Sequence, residues 1–265
     1  MSIKNHSRFW YLLNSILRQF IVRGGVNVLY KSYTINEYPK SGGSWLGQML
    51  ASSLELPFPR NQLPIMGDSI MHGHYLKSWN MDNVIVLWRD GRDVLISEYY
   101  HSLFPNEKGN HRLVSITRSE FKADDYEDIQ ANLPNFIDYI YKRRSIPRFT
   151  WVDFVDNWEN ANAVYASYEV IRKNPADELK RIVEELACIK LTNIQAENIA
   201  DQFSFEKQSG RKPGIEQKSS FMRKGVVGDW KNQFTAEAKE RFDFYAGDAL
   251  IKLGYESDHD WVKCD

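Results

Sequence analysis

The sequence has little of what marks several protein classes. Its two cysteines, Cys188 and Cys264, are too few and too far apart for a disulfide framework or a cysteine zinc site, which points to a reducing compartment. No sign of charge dominates: 34 Lys and Arg against 35 Asp and Glu leave a formal net charge of −1. Without a global basic field nothing suggests nucleic acid, and any anion site must be local. No apolar run reaches the roughly 18 to 20 residues needed to span a bilayer. Repeats, low-complexity tracts and linkers are absent too, so the chain reads as one domain over residues 1–265, with 1–32 as an N-terminal helix and lead-in.

What is present is patterning. Phe9, Leu12, Leu13, Ile16, Leu17, Phe20 and Ile21 recur at helical spacing, with Ser7 as N-cap and Lys4, Arg8, Arg18 and Arg23 as basic flanks. Two readings stay open for this stripe: packing on the domain's own core, or contact with a membrane surface. A cleavable signal peptide is not expected, because Asn14, Ser15, Arg18 and Gln19 interrupt the run.

Residues 33–38 read as a strand ending at Pro39, followed by a helix with Trp45, Leu46, Met49 and Leu50 inward. The continuous apolar run 84–88 predicts a strand buried on both faces. Residues 164–168 read as a further strand, and Asn174-Pro175 opens a helix with Asn as cap. Trp151, Phe154, Val155 and Trp158 share a helical face. Thr235 caps a last helix, whose stripe runs from Ala238 to Leu253 and stops at Gly254. Strands alternating with helices predict an α/β fold, a central parallel sheet flanked by helices. In such folds ligands bind at the carboxyl ends of the strands, which singles out residues 39–45 and 89–97.

In Tyr38-Pro39-Lys40-Ser41-Gly42-Gly43-Ser44-Trp45 a strand runs into a glycine pair and then a helix. The glycines let amide groups curl inward, and the helix N-terminus adds partial positive charge. Ser41 and Ser44 add hydroxyls and Lys40 a full charge, which together make a cradle for phosphate or sulfate. The triphosphate loop, with lysine after its second glycine, is not matched. A P-loop-type small-molecule kinase is therefore the weaker alternative, and a non-catalytic nucleotide-binding protein is another. Arg89 follows the buried strand, placed to grip a phosphate bidentately, with Ser97 eight residues on; Arg92 and Asp93 read as a surface turn with local ion pairs. Arg223-Lys224-Gly225 sets two cations and a glycine in one loop.

In this order the three segments resemble the cytosolic-type sulfotransferases that use 3'-phosphoadenosine 5'-phosphosulfate (PAPS). The first is similar to their Tyr-Pro-Lys-Ser-Gly-Thr-Thr-Trp loop, with Gly43 replacing a threonine. The last is nearly identical to their Arg-Lys-Gly-x-x-Gly-Asp-Trp-Lys-Asn run, here residues 223–232. The resemblance implies a P-loop-like sulfotransferase fold and a sulfuryl transfer to a hydroxyl or amine of a small-molecule, lipid or glycan acceptor. It implies that Lys40 stabilises the leaving bridging oxygen, that Ser41 to Ser44 hold the 5'-phosphosulfate and that Trp45 lies against the adenine. Arg89, Ser97, Arg223, Lys224 and Gly225 would clasp the 3'-phosphate, with Ser97 also restraining Lys40.

Tyr168 and Phe205 are the adenine candidates by resemblance, although either also fits a core. The catalytic histidine falls on His74, with His72 the alternative because the family's Lys-Thr before the histidine is His72-Gly73 here. His-x-His alone, without cysteine or paired carboxylates, does not argue for a metal, and none is expected. Residues 101–148 show little periodicity and match the family's acceptor lid. Lys231, Thr235 and Glu240 fit its dimer motif, with Ala236 in place of valine. A cytoplasmic enzyme follows, with membrane association through the N-terminal helix as the open variant.

Overall fold

The structure is a computed structural model that describes residues 8–24, 29–60, 62–143 and 147–263. The expected cap Ser7, the basic residue Lys4, the side chain of Arg8 and Cys264 lie outside the described residues. In chain order the elements are α1 (Arg8–Arg23), β1 (Ser32–Glu37), α2 (Gly43–Leu54), β2 (Ser69–Gly73), β3 (Val84–Trp88), α3 (Gly91–Leu103), α4 (His111–Glu120), α5 (Ile129–Lys142), α6 (Trp151–Trp158), β4 (Val164–Ser167), α7 (Tyr168–Lys173), α8 (Pro175–Ala187), α9 (Asn193–Gln202), α10 (Phe205–Ser209) and α11 (Ala236–Lys252). They divide into two compact units, Met1–Trp88 with Asn160–Arg211, and Arg89–Glu159 with Lys212–Asp265.

The first unit holds the sheet. Its order among the described residues is β2-β1-β3-β4, and every pairing is parallel. Central β1 is buried along its whole length, as parallel strands covered on both faces must be. Tyr33, Ile35, Ile70, Ile85 and Leu87 pack with Leu46, Met49 and Leu50 of α2 and with Leu179, Ile182 and Val183 of α8. The strand expected over 164–168 stops one residue early. Ser167 accepts a bond from the Val170 amide and starts α7, so Tyr168 is already helical. Asn174 stands at the N-cap of α8 but makes no side-chain capping bond, and Pro175 at the first position does the starting instead.

Helix α1 forms, and its apolar stripe is covered toward its C-terminal end, at Ile21, while its N-terminal part stays open. Only Ile21 and Val22 are buried, while Phe9, Leu12, Ile16 and Phe20 are more than half exposed. The stripe packs in part, through buried Ile21 and half-buried Leu13 and Leu17, and basic residues add anchors: Arg18 donates to the main-chain oxygens of Pro59 (2.6 Å) and Gln62 (2.8 Å), and Arg23 to that of Leu76 (3.3 Å). No helix among the described residues is long and apolar enough to cross a membrane.

The second unit is helical. Its core joins Leu133, Phe136 and Ile137 of α5, the four aromatic and aliphatic residues of α6 read from the sequence, and Phe242, Ala246 and Leu250 of α11. Thr235 accepts from the Ala238 amide at 3.2 Å, the expected cap. Within residues 101–143 the chain is more regular than its pattern suggests, because α4 and α5 lie there. Pro134 within α5 and the many charges hid that periodicity.

Candidate active site

In the first unit β1 runs into a loop whose backbone is set by its sequence. Lys40 adopts φ 74°, a left-handed conformation that non-glycine residues avoid, and Gly42 follows at φ 104°. Such an outlier persists only when its surroundings enforce it, and it marks loops that aim a side chain. Gly42 must be glycine twice over: a Cβ there would lie 2.7 Å from the Tyr168 ring. Its carbonyl accepts from the Trp45 amide at 2.9 Å, opening α2. The Ser41 side chain is buried, and its Oγ has no hydrogen-bond partner among the described residues. An orphan hydroxyl in a dipolar loop is a donor waiting for a ligand. Ser44 lies in the first turn of α2, half-buried.

Trp45 stands edge-on to Tyr168, ring centroids 6.0 Å apart, with its indole Nε1 also unpartnered and Arg172 over its ring at 5.5 Å. Phe205 opens α10, buried beneath the Arg211 guanidinium at 5.5 Å. The structure thus brings Trp45 and Tyr168 together, and gives Phe205 a cation of its own.

His72 and His74 sit at the end of β2, beside a residue the sequence reading passed over. Glu37, the last residue of β1, is fully enclosed, and its Oε1 meets His72 Nε2 at 2.9 Å. Its Oε2 accepts the Gly43 amide. Burial alone would raise this carboxyl, but the His72 hydrogen bond, both imidazoles and the Gly43 amide outweigh it and hold it below its ordinary range. His74 Nδ1 lies 2.9 Å from the main-chain oxygen of Glu37. A carbonyl can only accept, so Nδ1 carries the hydrogen and Nε2 keeps a lone pair. Burial chiefly, then His72, brings the His74 pKa down to about 4. Asn36 fixes this segment by bonding both the amide (2.8 Å) and the oxygen (2.9 Å) of Tyr75, carrying the ladder past the end of β2. Arg60 adds a half-buried cation that acts on both Glu37 and His74.

The second unit gathers the other group of candidates. Asp90 caps α3, accepting from the Arg92 amide at 2.9 Å. Arg92 and Asp93 are not a surface turn, since both are only 2% exposed. The Arg92 guanidinium pairs with Asp90 and Glu256 and lies over the rings of Trp230 (3.7 Å) and Trp261 (4.8 Å). Those aromatic faces are far away in sequence, which is why the local pattern suggested solvent. Asp93 accepts from the amides of Gly228 (2.7 Å) and Trp230 (3.1 Å), so it pins the loop after the Arg-Lys-Gly run. Arg89 NH2 lies 3.9 Å from Asp93, and Ser97 is one turn further along α3.

Arg223 pairs with Glu216 and Asp229 and stacks over Tyr100 at 4.5 Å; Lys224 Nζ meets Asp229 at 2.5 Å; Gly225 turns at φ 65°. Two cations on one buried carboxylate, on a loop held by Asp93, form a preorganised basic site. Lys231 and Glu240 are exposed, and Thr235 is spent on the helix cap.

The family model of the sulfotransferase domain matches residues 71–254, more than half of the chain and parts of both units. The Lys40 loop lies upstream of that span. The chain is 28% identical to mouse Sulfotransferase 1B1 over 259 residues, covering 79% of each chain. Among solved structures, mouse sulfotransferase SULT7A1 complexed with PAP aligns with TM-score 0.59 at 18% identity, over 94% of each chain. Retinol dehydratase in a complex with retinol and PAP aligns with TM-score 0.60 at 17% identity, over 92% of this chain and 86% of that one. At such identities the structures speak to the fold alone, and they agree with a central parallel sheet flanked by helices. With the family model matched over most of its length, the chain belongs to the sulfotransferase domain family.

Proposed function

We propose that this sulfotransferase moves a sulfuryl group from PAPS to a hydroxyl of a small-molecule acceptor, leaving adenosine 3',5'-bisphosphate, and that both units serve this one reaction as a single sulfotransferase domain. PAPS supplies the activated sulfuryl group. The chain's residues bind it, neutralise charge and take a proton.

Lys40 Nζ would meet the bridging oxygen as its bond to sulfur breaks, with Ser41, Ser44 and the first amides of α2 on the 5' end. Gly42 supplies the turn that brings these groups inward, and Gly43 the first helical amide. Trp45, Tyr168 and Phe205 take the adenine. Arg89, Ser97, Arg223, Lys224 and the Gly225 amide take the 3'-phosphate. His74 Nε2 accepts the hydroxyl proton while the acceptor oxygen bonds to sulfur, as positioning and charge stabilisation do most of the work in such in-line transfers. The tautomer fixed by the Glu37 carbonyl favours His74 over His72, whose Nε2 is engaged by the Glu37 carboxylate.

The observation that carries the reading is the Ser41 hydroxyl, buried and unpartnered inside a loop whose lysine is held at positive φ. The test is calorimetry of the full chain with adenosine 3',5'-bisphosphate and with ATP, then incubation with sulfur-labelled PAPS and a panel of alcohols, phenols and amines. Tight binding of the bisphosphate and label transfer without added metal are expected. Preference for ATP with Mg²⁺, and no label transfer, would replace this reading by a kinase.

The exposed stripe of α1 favours a second element of the reading: a cytoplasmic enzyme that touches a membrane surface through Phe9, Leu12, Ile16 and Phe20. Co-sedimentation with anionic vesicles should fall sharply in a Phe9→Ser, Phe20→Ser variant. A homodimer through residues 231–240 completes the proposal, and sedimentation of Lys231→Glu against the parent checks it.

A further inference from the structure

Glu37, His72 and His74 converge where two neighbouring parallel strands end. β1 and β2 pair with Ile35 opposite His72 and Asn36 opposite Gly73, so Glu37 and His74 follow one step further along the same ladder. The two imidazole rings are 5.1 Å apart, nearly perpendicular. One ring nitrogen from each and a carboxylate oxygen of Glu37 all lie within 4.8 Å of one another. We propose that these three residues form a binding site for a divalent transition-metal ion of the Zn²⁺ class, with its remaining position open to water.

The donor set is the first argument. Two imidazoles and one carboxylate suit Zn²⁺, Co²⁺ or Fe²⁺ and leave open positions, whereas Mg²⁺ and Ca²⁺ prefer oxygen alone. The supporting bonds are the second. Ligating histidines give their other ring hydrogen to a carbonyl or carboxylate, and ligating carboxylates are themselves hydrogen-bonded. His74 Nδ1–H donates to the Glu37 carbonyl at 2.9 Å, which turns its other nitrogen into the available lone pair. Glu37 Oε2 accepts the Gly43 amide, which leaves Oε1 facing His72.

The third argument is space. A Cβ at residue 43 would come within 2.7 Å of the Glu37 carboxyl carbon and 2.8 Å of His72 Nε2. A glycine here, where the resembling loop has threonine, is what lets carboxylate and imidazole meet. One group opposes the site: the Arg60 guanidinium acts on both Glu37 and His74 and disfavours a second positive charge.

The transfer reaction asks nothing of this ion. Its consequence is inhibition, because the ion would take the His74 lone pair that the proposed function assigns to the acceptor proton; this consequence, but not the site, rests on that reading.

The experiment uses the full chain stripped with chelator and titrated with Co²⁺, followed by visible absorption, then back-titrated with Zn²⁺ in a calorimeter. One Co²⁺ per chain, with a coloured spectrum abolished by Zn²⁺, is expected. Glu37→Gln, His72→Asn and His74→Asn should each weaken Zn²⁺ at least tenfold, with folding of each confirmed by circular dichroism. Arg60→Gln keeps all three ligands and should tighten it several-fold. No stoichiometric Co²⁺ binding, or binding indifferent to all four changes, overturns the site. Zn²⁺ that binds as described yet leaves label transfer from PAPS untouched sustains the site and removes His74 as the base. No binding, with transfer intact, removes the site and leaves the proposed transfer standing.

Discussion

The two units hold their candidate anion-binding groups in different ways. In the first, the buried carboxylate of Glu37 is met by a backbone amide, at Gly43, and an imidazole, at His72. In the second, the buried carboxylate of Asp229 is met by two full cations, Arg223 and Lys224. The first arrangement offers dipoles, hydroxyls and one lysine on a strained loop, which suits charge that develops during reaction. The second offers two full cations held by carboxylates, Glu216 and Asp229, that a bound phosphate could share or displace, which suits a group that stays unchanged. One region should therefore govern turnover and the other affinity.

The largest expected effect breaks that comparison if it fails. Lys40→Ala should lower kcat about 10² to 10³-fold, the usual loss when a preorganised group facing developing charge is removed. Affinity for adenosine 3',5'-bisphosphate, which keeps that oxygen but has no sulfuryl group to release, should fall far less than turnover does. Single-turnover rates and calorimetry on the same preparation check both halves. Next comes Arg223→Ala. A lost charge-assisted bond of about 1.5–3 kcal/mol translates to roughly 10- to 100-fold weaker bisphosphate binding. Bound substrate should then still react within a few-fold of the parent rate. Similar, small effects from both variants would erase the division of labour.

A third change contrasts the two units through their glycines. Gly43→Ala would push a methyl group into buried Glu37 and largely covered His72, at a cost of about 1–3 kcal/mol in stability. At Gly228, where nothing lies within 4 Å of an added Cβ, alanine meets only the strain of φ 79°, about 1 kcal/mol. Urea unfolding midpoints of the two variants give the order. If Gly43→Ala proves the milder one, Glu37 and His72 are less firmly placed than described.

Local chemistry carried much of this structure. The run 84–88 is a strand at its expected bounds, and the stripe of α11 is buried between its Thr235 cap and Gly254, because periodicity and caps act within a few residues. The glycine turn, its lysine and the Arg-Lys-Gly run were legible for the same reason. What remained hidden depends on distance along the chain. Glu37 lies 35 residues before His72 and meets it only through strand pairing. Asp93 reaches Gly228 across 135 residues, so nothing in Arg89-Asp90-Gly91-Arg92-Asp93 announces that its acid organises the third motif. The α1 stripe was visible, but periodicity reports a face without telling what covers it.

The smallest effect concerns acid, and it separates two aspartates within the second unit. Burial raises Asp93, with Arg89 and the Gly228 and Trp230 amides only partly offsetting it. Burial would raise Asp229 as well, but Lys224 and Arg223 outweigh it and hold its carboxyl below the ordinary 3.8. A depressed folded-state pKa means that the unfolded chain takes up the proton first. The Asp229 contribution is therefore complete above about pH 4 and is lost as pH falls through the folded value. For Asp93 the sign reverses: the folded state holds the proton longer, so ionisation above 3.8 costs stability as pH rises through its folded value. Asp229→Asn should accordingly destabilise the chain most near neutrality, and the gap to the parent should narrow below pH 4. Asp93→Asn should show no such narrowing. Unfolding midpoints in urea from pH 7 down to the lowest pH at which both variants fold measure the two gaps. A constant gap for Asp229→Asn would mean that its two cations do not hold that carboxylate charged.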